Sequence, residues 1–388
     1  MTKPERVLHV INSMNLAGAE SLLMNIYRNI DRKKIQFDFL LNIKEKSYFE
    51  DEILTLGGRI YKMRSIRELG PLLYKKELKR FFQTHSEYKI IHSHLEATTG
   101  IILEAARETD KSVRIAHAHN SSHNRSSVFY HLENLFKDCC KRKIKNSATD
   151  YFACSELAAD FLFGRNAPER KLIKNAIGGE KYIFSQETRR EIRKEFIIED
   201  DTCVIGHVGR FYEQKNHLFL IEVFEKYQRI NPSSILWLIG DGKIEEKIRK
   251  EVSSRGIEEK VVFWGQRSDV ADLMQAMDVF MLPSKHEGLS LALVEAQTAG
   301  LPCLVSDRVT TESCLDAKLV KFLPLGKKDA WVKELEHIKI RENRRGIDPA
   351  AHGYDAKQSA KIMEDYYLEM LAETRRSSLA PVSDNCRT

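Results

Sequence analysis

Two glutamates with the spacing Glu-x7-Glu, Glu287 and Glu295, bracket the start of a helical pattern in Pro283-Ser-Lys-His-Glu-Gly-Leu-Ser-Leu-Ala-Leu-Val-Glu-Ala-Gln. The segment follows a hydrophobic run, breaks at Pro283 and Gly288, and re-enters a helix. Carboxylates accept well from pairs of sugar hydroxyls. Amides at a helix start, here around Gly288, Leu289 and Ser290, can hold phosphate oxygens. The ordinary alternative is a solvated loop Glu and an exposed helix Glu. A second segment, His207-Val-Gly-Arg-Phe-Tyr-Glu-Gln-Lys-Asn-His217, places Arg210 and Lys215 in an Arg-x4-Lys spacing after a strand ending at Gly209. Two cations at a strand-to-helix turn are what a departing diphosphate needs when no metal neutralises it. The alternative is two surface cations, and the placement after a strand favours function.

A third segment, Asn12-Ser-Met-Asn-Leu-Ala-Gly-Ala-Glu20, follows the first strand, and its Gly18 suggests backbone approach to a phosphate or acceptor. It is not G-x-G-x-x-G, and neither is Gly240-Asp-Gly242, which argues against a dinucleotide enzyme. Histidines form a fourth group. His92-Ser-His94 and His117-Ala-His119 each end an expected strand, with His123 close behind. On a strand, residues i and i+2 point the same way, so each pair can present two imidazoles together, and a bound zinc is a rival reading. No carboxylate or cysteine completes an evident ligand set.

The elements that must carry these groups alternate from end to end. Strands are expected at 6–11, 37–41, 89–93, 113–117 and 150–153, with amphipathic stretches at 19–29 and 97–107. The pattern restarts with strands at 203–207, 235–239, 261–264, 279–282 and 303–306 and helices at 215–229 and 290–299. Strands alternating with helices imply parallel sheets covered on both faces. The expected fold is therefore α/β, with two Rossmann-like doubly wound domains facing across a cleft, since ligands of open α/β sheets bind outside the carboxyl ends of strands. The boundary falls in the polar stretch 178–199. This gives a first domain over 1–185 and a second over 186–354, which the resemblance drawn below implies to be the acceptor and donor sides. A last helix over 356–374 is expected to cross back to the first domain, ahead of a disordered tail at 375–388.

At 388 residues the chain is long enough for about two domains, and 42% hydrophobic with 30% charged residues is a globular composition. A net charge of +6 suits anionic partners but is too small to argue for nucleic acid, and no nucleic-acid motif is present. The seven cysteines include no C-x-x-C pair and several lie in apolar runs, which favours buried thiols in a reducing compartment. No apolar run reaches the ~20 residues of a spanning helix, and the N-terminus reads straight into a strand rather than a signal peptide. The chain is expected to be cytoplasmic. Basic residues interleave with apolar ones over 64–82, which suits either a core-facing helix with a solvated side or a peripheral contact with an anionic bilayer.

Taken in order, the glycine loop, Gly-Arg-x4-Lys, Gly240-Asp-Gly242, Phe263-Trp-Gly265 and the Glu-x7-Glu pair resemble the family-4 (group 1) retaining glycosyltransferases of GT-B architecture. The resemblance spans nearly the whole chain and is nearest to bacterial enzymes of capsule and exopolysaccharide assembly. It implies that Arg210 and Lys215 hold the donor diphosphate, that Glu295 accepts from the ribose and that Glu287 binds the donor sugar, helped by the amides of Gly288, Leu289 and Ser290. Gln266 and Arg267 would lie near the base, Gly18 would border the diphosphate, and His119 would be the active-site histidine. His94 is a weaker candidate, and His92 and His117 read as structural. Two departures from the family pattern are Ala17-Gly18-Ala19-Glu20 in place of Gly-Gly before the Glu, and Asn175-Ala176 in place of Asn-Gly.

The implied reaction moves a hexose or N-acetylhexosamine from a nucleotide-diphosphate sugar, a UDP-sugar first, to a hydroxyl of a lipid-linked or growing glycan. Configuration is retained, and no metal or other cofactor is expected. With no carboxylate standing out as a covalent nucleophile, front-face attack is preferred. Peripheral contact with membrane or with polysaccharide assembly proteins fits the same resemblance. The rivals are a sugar-nucleotide epimerase or hydrolase of the same fold, a histidine-based metallohydrolase, and a non-catalytic sugar-nucleotide-binding component of an assembly complex.

Overall fold

The computed structural model describes residues 3–120, 130–167, 169–287, 289–338 and 344–379, with the side chains of 130–134 and 377–379 left aside. His123 and Gly288 fall outside the described residues. The chain divides into two units, one of residues 1–176 with 356–388, the other Ile177–Asp355.

The first unit is built on a seven-stranded sheet of β1 (Glu5–Ile11), β2 (Ile35–Leu41), β3 (Ile60–Lys62), β4 (Ile90–Ser93), β5 (Val113–Ala118), β6 (Asp150–Ala153) and β7 (Arg170–Leu172). Its order is β3-β2-β1-β4-β5-β6-β7, with every pairing parallel. Alternate residues feed two cores. Val7, Ile11, Phe37 and Phe39 pack with Leu22, Tyr27, Met363 and Tyr367, while Leu8, Val10, Leu40 and Ile91 pack with Leu78, Phe82 and Ile102. The helix Ala356–Leu379 thus returns to the first sheet, and Glu364 accepts from Asp31 N at 3.0 Å and Lys34 Nζ at 3.1 Å. The helix runs to Leu379, so 375–379 are helical rather than part of the expected tail, and 380–388 lie outside the described residues.

The second unit holds β8 (Val204–Val208), β9 (Ile235–Ile239), β10 (Val261–Gly265), β11 (Val279–Leu282), β12 (Cys303–Ser306) and β13 (Val320–Leu323). They form a parallel sheet in the order β10-β9-β8-β11-β12-β13, with its switch point between β8 and β11. The division lies at 176/177 rather than 185/186. Ile177 bridges Asp355, and Ser185 N donates to Gln275 Oε1 at 3.2 Å, so 177–185 belongs with the second sheet.

The polar stretch read as a boundary contains the helix Gln186–Glu195, whose inward residues are Arg189 and Arg193. Both pair with Asp278, at 2.6 and 3.3 Å, and all three side chains are buried. A helix that turns arginines to the core carries no apolar stripe, so periodicity misses it. The short edge strands β3, β7 and β13 carry no local pattern either, because it is pairing with a neighbour that makes them strands. The basic segment at 64–82 forms the kinked helix Ile66–Thr84, capped by a Ser65–Glu68 box. It is core-facing through Tyr74, Leu78 and Phe82, and leaves Leu72 and Leu73 exposed. No helix among the described residues is long and apolar enough to cross a membrane.

Candidate active site

β8 and β11 flank the switch point of the second sheet, where neighbouring strands send their crossovers to opposite faces and leave a crevice at the carboxyl edge. After β8 the chain turns through Gly209–Asn216 into the helix His217–Ile230, with Asn216 at φ 60° on entry. After β11 it runs through Pro283–Glu287 toward the helix Leu291–Thr298. The two loops are stitched together: Lys285 N donates to Gln214 O at 2.8 Å, Gln214 Nε2 to His286 O at 2.9 Å and Asn216 Nδ2 to Pro283 O at 3.1 Å. Lys215 Nζ lies 2.7 Å from Glu287 Oε1, with both side chains largely buried.

Glycine makes this approach possible. A Cβ on Gly209 would sit 3.0 Å from Lys215 Cε, so the bare backbone lets the lysine fold back over the strand end. Gly240, at φ 131°, passes so close to the same loop that a Cβ would meet Gly209 O at 2.2 Å. Phe211 N then donates to Asp241 O at 2.6 Å. The Gly240-Asp-Gly242 turn is therefore a support for the cation loop. Arg210 is exposed at its tip, with its guanidinium 5.2 Å from the Tyr212 ring centroid. Under the lysine, His207 is buried with Nδ1 2.8 Å from Met281 O, and desolvation pushes its pKa down to about 4. That ring is neutral at pH 7.

Glu295 sits on the helix Leu291–Thr298, and burial raises its pKa to about 7 against the opposing hydrogen bond from Tyr182. The amide row has one correction: Ser290 N already donates to Ser313 Oγ at 2.8 Å, so it is not a free donor. Leu289 packs beside Ile177, Val294 and Tyr354, which gives its side chain an apolar task. Beyond β10, Gln266 Nε2 donates to Asp241 Oδ1 at 2.9 Å, and Arg267 is paired with Asp269, Nε to Oδ1 at 2.7 Å.

In the first unit the switch point lies between β1 and β4. Gly18 opens the helix Gly18–Asn29, and a Cβ there would meet only Asn175 Nδ2, at 3.7 Å. Gly18 and Asn175, each next in sequence to an alanine that departs from the family pattern, are thus neighbours, and neither crowding nor φ demands glycine at 18. The histidines share one sheet face with a fifth ring, His9 of β1. His9 Nδ1 lies 3.1 Å from His94 Nε2, and His94 Nδ1 lies 2.9 Å from His119 Nε2. In parallel, Tyr367 Oη meets His92 Nδ1 at 2.7 Å and His92 Nε2 meets His117 Nδ1 at 3.1 Å. Burial lowers the pKa of all five rings, to about 3 for His9 and His119. They are neutral. His9 escaped sequence reading because it stands alone on its strand, although it shares the parity of Val7 and Ile11.

Glu96 also escaped. It follows β4 at φ 47°, a left-handed backbone that costs roughly 1–3 kcal/mol for a residue with a Cβ. Its Oε1 accepts from His119 N, Asn120 N and Asn120 Nδ2 at 2.9–3.0 Å, which fixes the end of β5. Oε2 is buried without a hydrogen-bond partner among the described residues. Desolvation raises the carboxyl pKa to about 7 from 4.5. The folded protein therefore holds this proton more tightly than the unfolded chain. Stability from Glu96 falls as pH rises from 4.5 toward about 7. Between pH 5 and 7.5, wild-type Tm is expected to drop relative to Glu96→Gln. Parallel Tm curves for the two proteins would contradict this.

Among known proteins, the family described as glycosyl transferases group 1 matches residues 188–336, which include Arg210, Lys215, Glu287 and Glu295. A putative glycosyltransferase of Bacillus subtilis (strain 168), EpsF, is 34% identical over 371 residues, covering 94% of this chain and 96% of that one. The chain belongs to the group 1 glycosyltransferases. It is therefore an enzyme of glycosyl transfer. Another relative, the UDP-Gal:alpha-D-GlcNAc-diphosphoundecaprenol alpha-1,3-galactosyltransferase of Escherichia coli, is 28% identical over 403 residues, covering 94% of this chain and 97% of that one. The fold matches the crystal structure of Anabaena Alr3699/HepE in complex with UDP-glucose, with a TM-score of 0.68, 17% identity and coverage of 96% of this chain and 99% of that one. The two parallel-sheet units are those of the GT-B fold.

Proposed function

We propose that this glycosyltransferase moves a hexosyl or N-acetylhexosaminyl group from a UDP-sugar to a hydroxyl of a lipid-linked or growing glycan in exopolysaccharide or capsule synthesis. The observation that carries the donor reading is the Lys215–Glu287 pair beside Arg210 at the β8/β11 switch point. Support comes from the Escherichia coli relative, whose name specifies a UDP-sugar donor and a diphosphoundecaprenol-linked acceptor, and from a Staphylococcus aureus relative named for capsular polysaccharide biosynthesis.

Negative charge grows on the diphosphate as the anomeric bond lengthens, and fixed cations that need no reorganisation stabilise it best. Arg210 and Lys215 supply that charge, so a divalent ion at the diphosphate is not required. Glu287 plays two parts. It keeps the lysine placed before the donor arrives, and its carboxylate accepts from hydroxyls of the donor sugar. Glu295, with a pKa near 7, accepts from the ribose as carboxylate and donates as acid. Of the first unit's residues, His119 is the active-site histidine in this reading and Gly18 borders the diphosphate. Attack comes from the face the leaving group departs, a donor phosphate oxygen takes the acceptor proton, and configuration is retained.

The test is incubation with UDP-sugars, with and without a lipid-diphosphate acceptor, in excess EDTA, followed by NMR of the new linkage. Acceptor-dependent release of UDP and an axial-to-axial product are expected. A requirement for added Mg²⁺ or Mn²⁺, or an inverted linkage, would refute the corresponding part.

A further inference from the structure

Five imidazoles on one face of a buried sheet are more than packing needs, and their free nitrogens are unevenly placed. His9 Nε2, His117 Nε2 and His119 Nδ1 are buried without hydrogen-bond partners among the described residues. An unmade bond at a buried polar atom costs about 1–3 kcal/mol, so each calls for an explanation. His94, His117 and His119 can each offer a ring nitrogen to a set lying within 4.8 Å of one another. His94 and His117 are buried, while His119 is partly exposed, so such a set has one side open to solvent.

We propose that His94, His117 and His119 form a binding site for a divalent transition metal of zinc type, through His94 Nδ1, His117 Nε2 and His119 Nε2, with the fourth position open to water. Behind two of these rings, His94 and His117, the hydrogen-bond pattern is the one metal ligation needs, in which a ligating imidazole donates its other N–H to a fixed acceptor. With Nδ1 of His94 on the metal, its Nε2–H donates to His9 Nδ1 at 3.1 Å. With Nε2 of His117 on the metal, its Nδ1–H donates to His92 Nε2 at 3.1 Å. His92 Nδ1–H then donates to Tyr367 Oη at 2.7 Å. One set of tautomers serves every one of these contacts.

The remaining contact, His94 Nδ1 to His119 Nε2 at 2.9 Å, holds a single hydrogen between two nitrogens. On metal binding that hydrogen moves to His119 Nδ1, so His119 ligates through Nε2 as a neutral imidazole and no net proton is released. Tetrahedral Zn–N bonds of about 2.0–2.1 Å put ligand nitrogens roughly 3.3 Å apart, against 2.9 Å between His94 Nδ1 and His119 Nε2 and at most 4.8 Å between the nitrogens the three residues offer. Three neutral imidazoles with an open position suit zinc, and cobalt as its spectroscopic substitute. Once bound, the ion ties the ends of β4 and β5 together and fixes the His119 ring. The site is built from residues of the first unit alone, and the inference stands whatever the donor proves to be.

The test uses untagged full-length protein stripped with chelator and dialysed. Titration with Co²⁺ should give visible d–d bands of tetrahedral intensity that saturate at one ion per chain and are bleached by Zn²⁺. X-ray absorption of the Zn²⁺ form should show three imidazole nitrogens at about 2.0–2.1 Å. His119→Asn, which alters the partly exposed ligand, should weaken Co²⁺ binding at least ten-fold, while His337→Ala on the exposed surface should leave it unchanged. Absent d–d bands, a first shell of oxygens alone, or equal affinity in His119→Asn and wild type would each overturn the proposal.

Discussion

Lys215→Ala is expected to lower kcat for sugar transfer by roughly 10²–10³-fold, the range found when one preorganised donor to a developing anion is removed. Arg210→Ala should act in the same direction. Lys215 has the larger effect because it is largely buried and paired at 2.7 Å with Glu287, whereas Arg210 is exposed and more strongly screened by solvent. The lysine variant also leaves Glu287 without its counter-ion, so donor KM should rise as well. Lys215→Ala/Glu287→Gln separates the two causes: the double variant should recover part of the KM loss and none of the kcat loss. Near-normal turnover by a folded Lys215→Ala protein would remove the electrostatic basis of the proposed mechanism.

Asp278→Ala is expected to destabilise the second unit by about 3–5 kcal/mol, because it strands two buried guanidinium groups. Arg189 and Arg193 both pair with this carboxylate, and Asp278 Oδ2 also accepts from Val204 N, the first amide of β8, at 2.8 Å. Burial already lowers the Arg193 pKa, which is the sign of a charge held at a cost. All three tryptophans, Trp237, Trp264 and Trp331, lie in this unit, so intrinsic fluorescence follows its unfolding by itself. For a unit of this size the loss corresponds to a fall in Tm of roughly 6–20 °C. A loss below about 1 kcal/mol in urea would mean that the arginines regain water without the sheet opening.

These two residues illustrate different degrees of legibility. Arg210, Lys215 and the Glu-x7-Glu pair could be read because the turn after a strand is a local event: a β-branched run, a glycine and then a helical pattern place a side chain at the carboxyl edge without distant help. The strands β1, β2, β4 and β5 were readable for a similar reason, since burial on both faces of a parallel sheet leaves a nearly continuous apolar run. Asp278 and its arginines could not be read. Their helix breaks the apolar rule, and its partner lies more than eighty residues away.

Amino-acid order alone determined the alternation of strands and helices, hence two doubly wound units, and the cations and carboxylates at the ends of β8 and β11. Tertiary structure decided which neighbours those groups meet: Glu287 against Lys215, Ser313 on the amide of Ser290, Tyr182 against Glu295, and Glu96 under the end of β5. It also gathered His9, His92, His94, His117 and His119 into one buried set and closed it with Tyr367, 275 positions from His92. Periodicity specifies the face on which a side chain emerges. Strand order and crossover packing specify what it faces, and those depend on burying both sides of the sheet at once, a condition no short window of sequence contains.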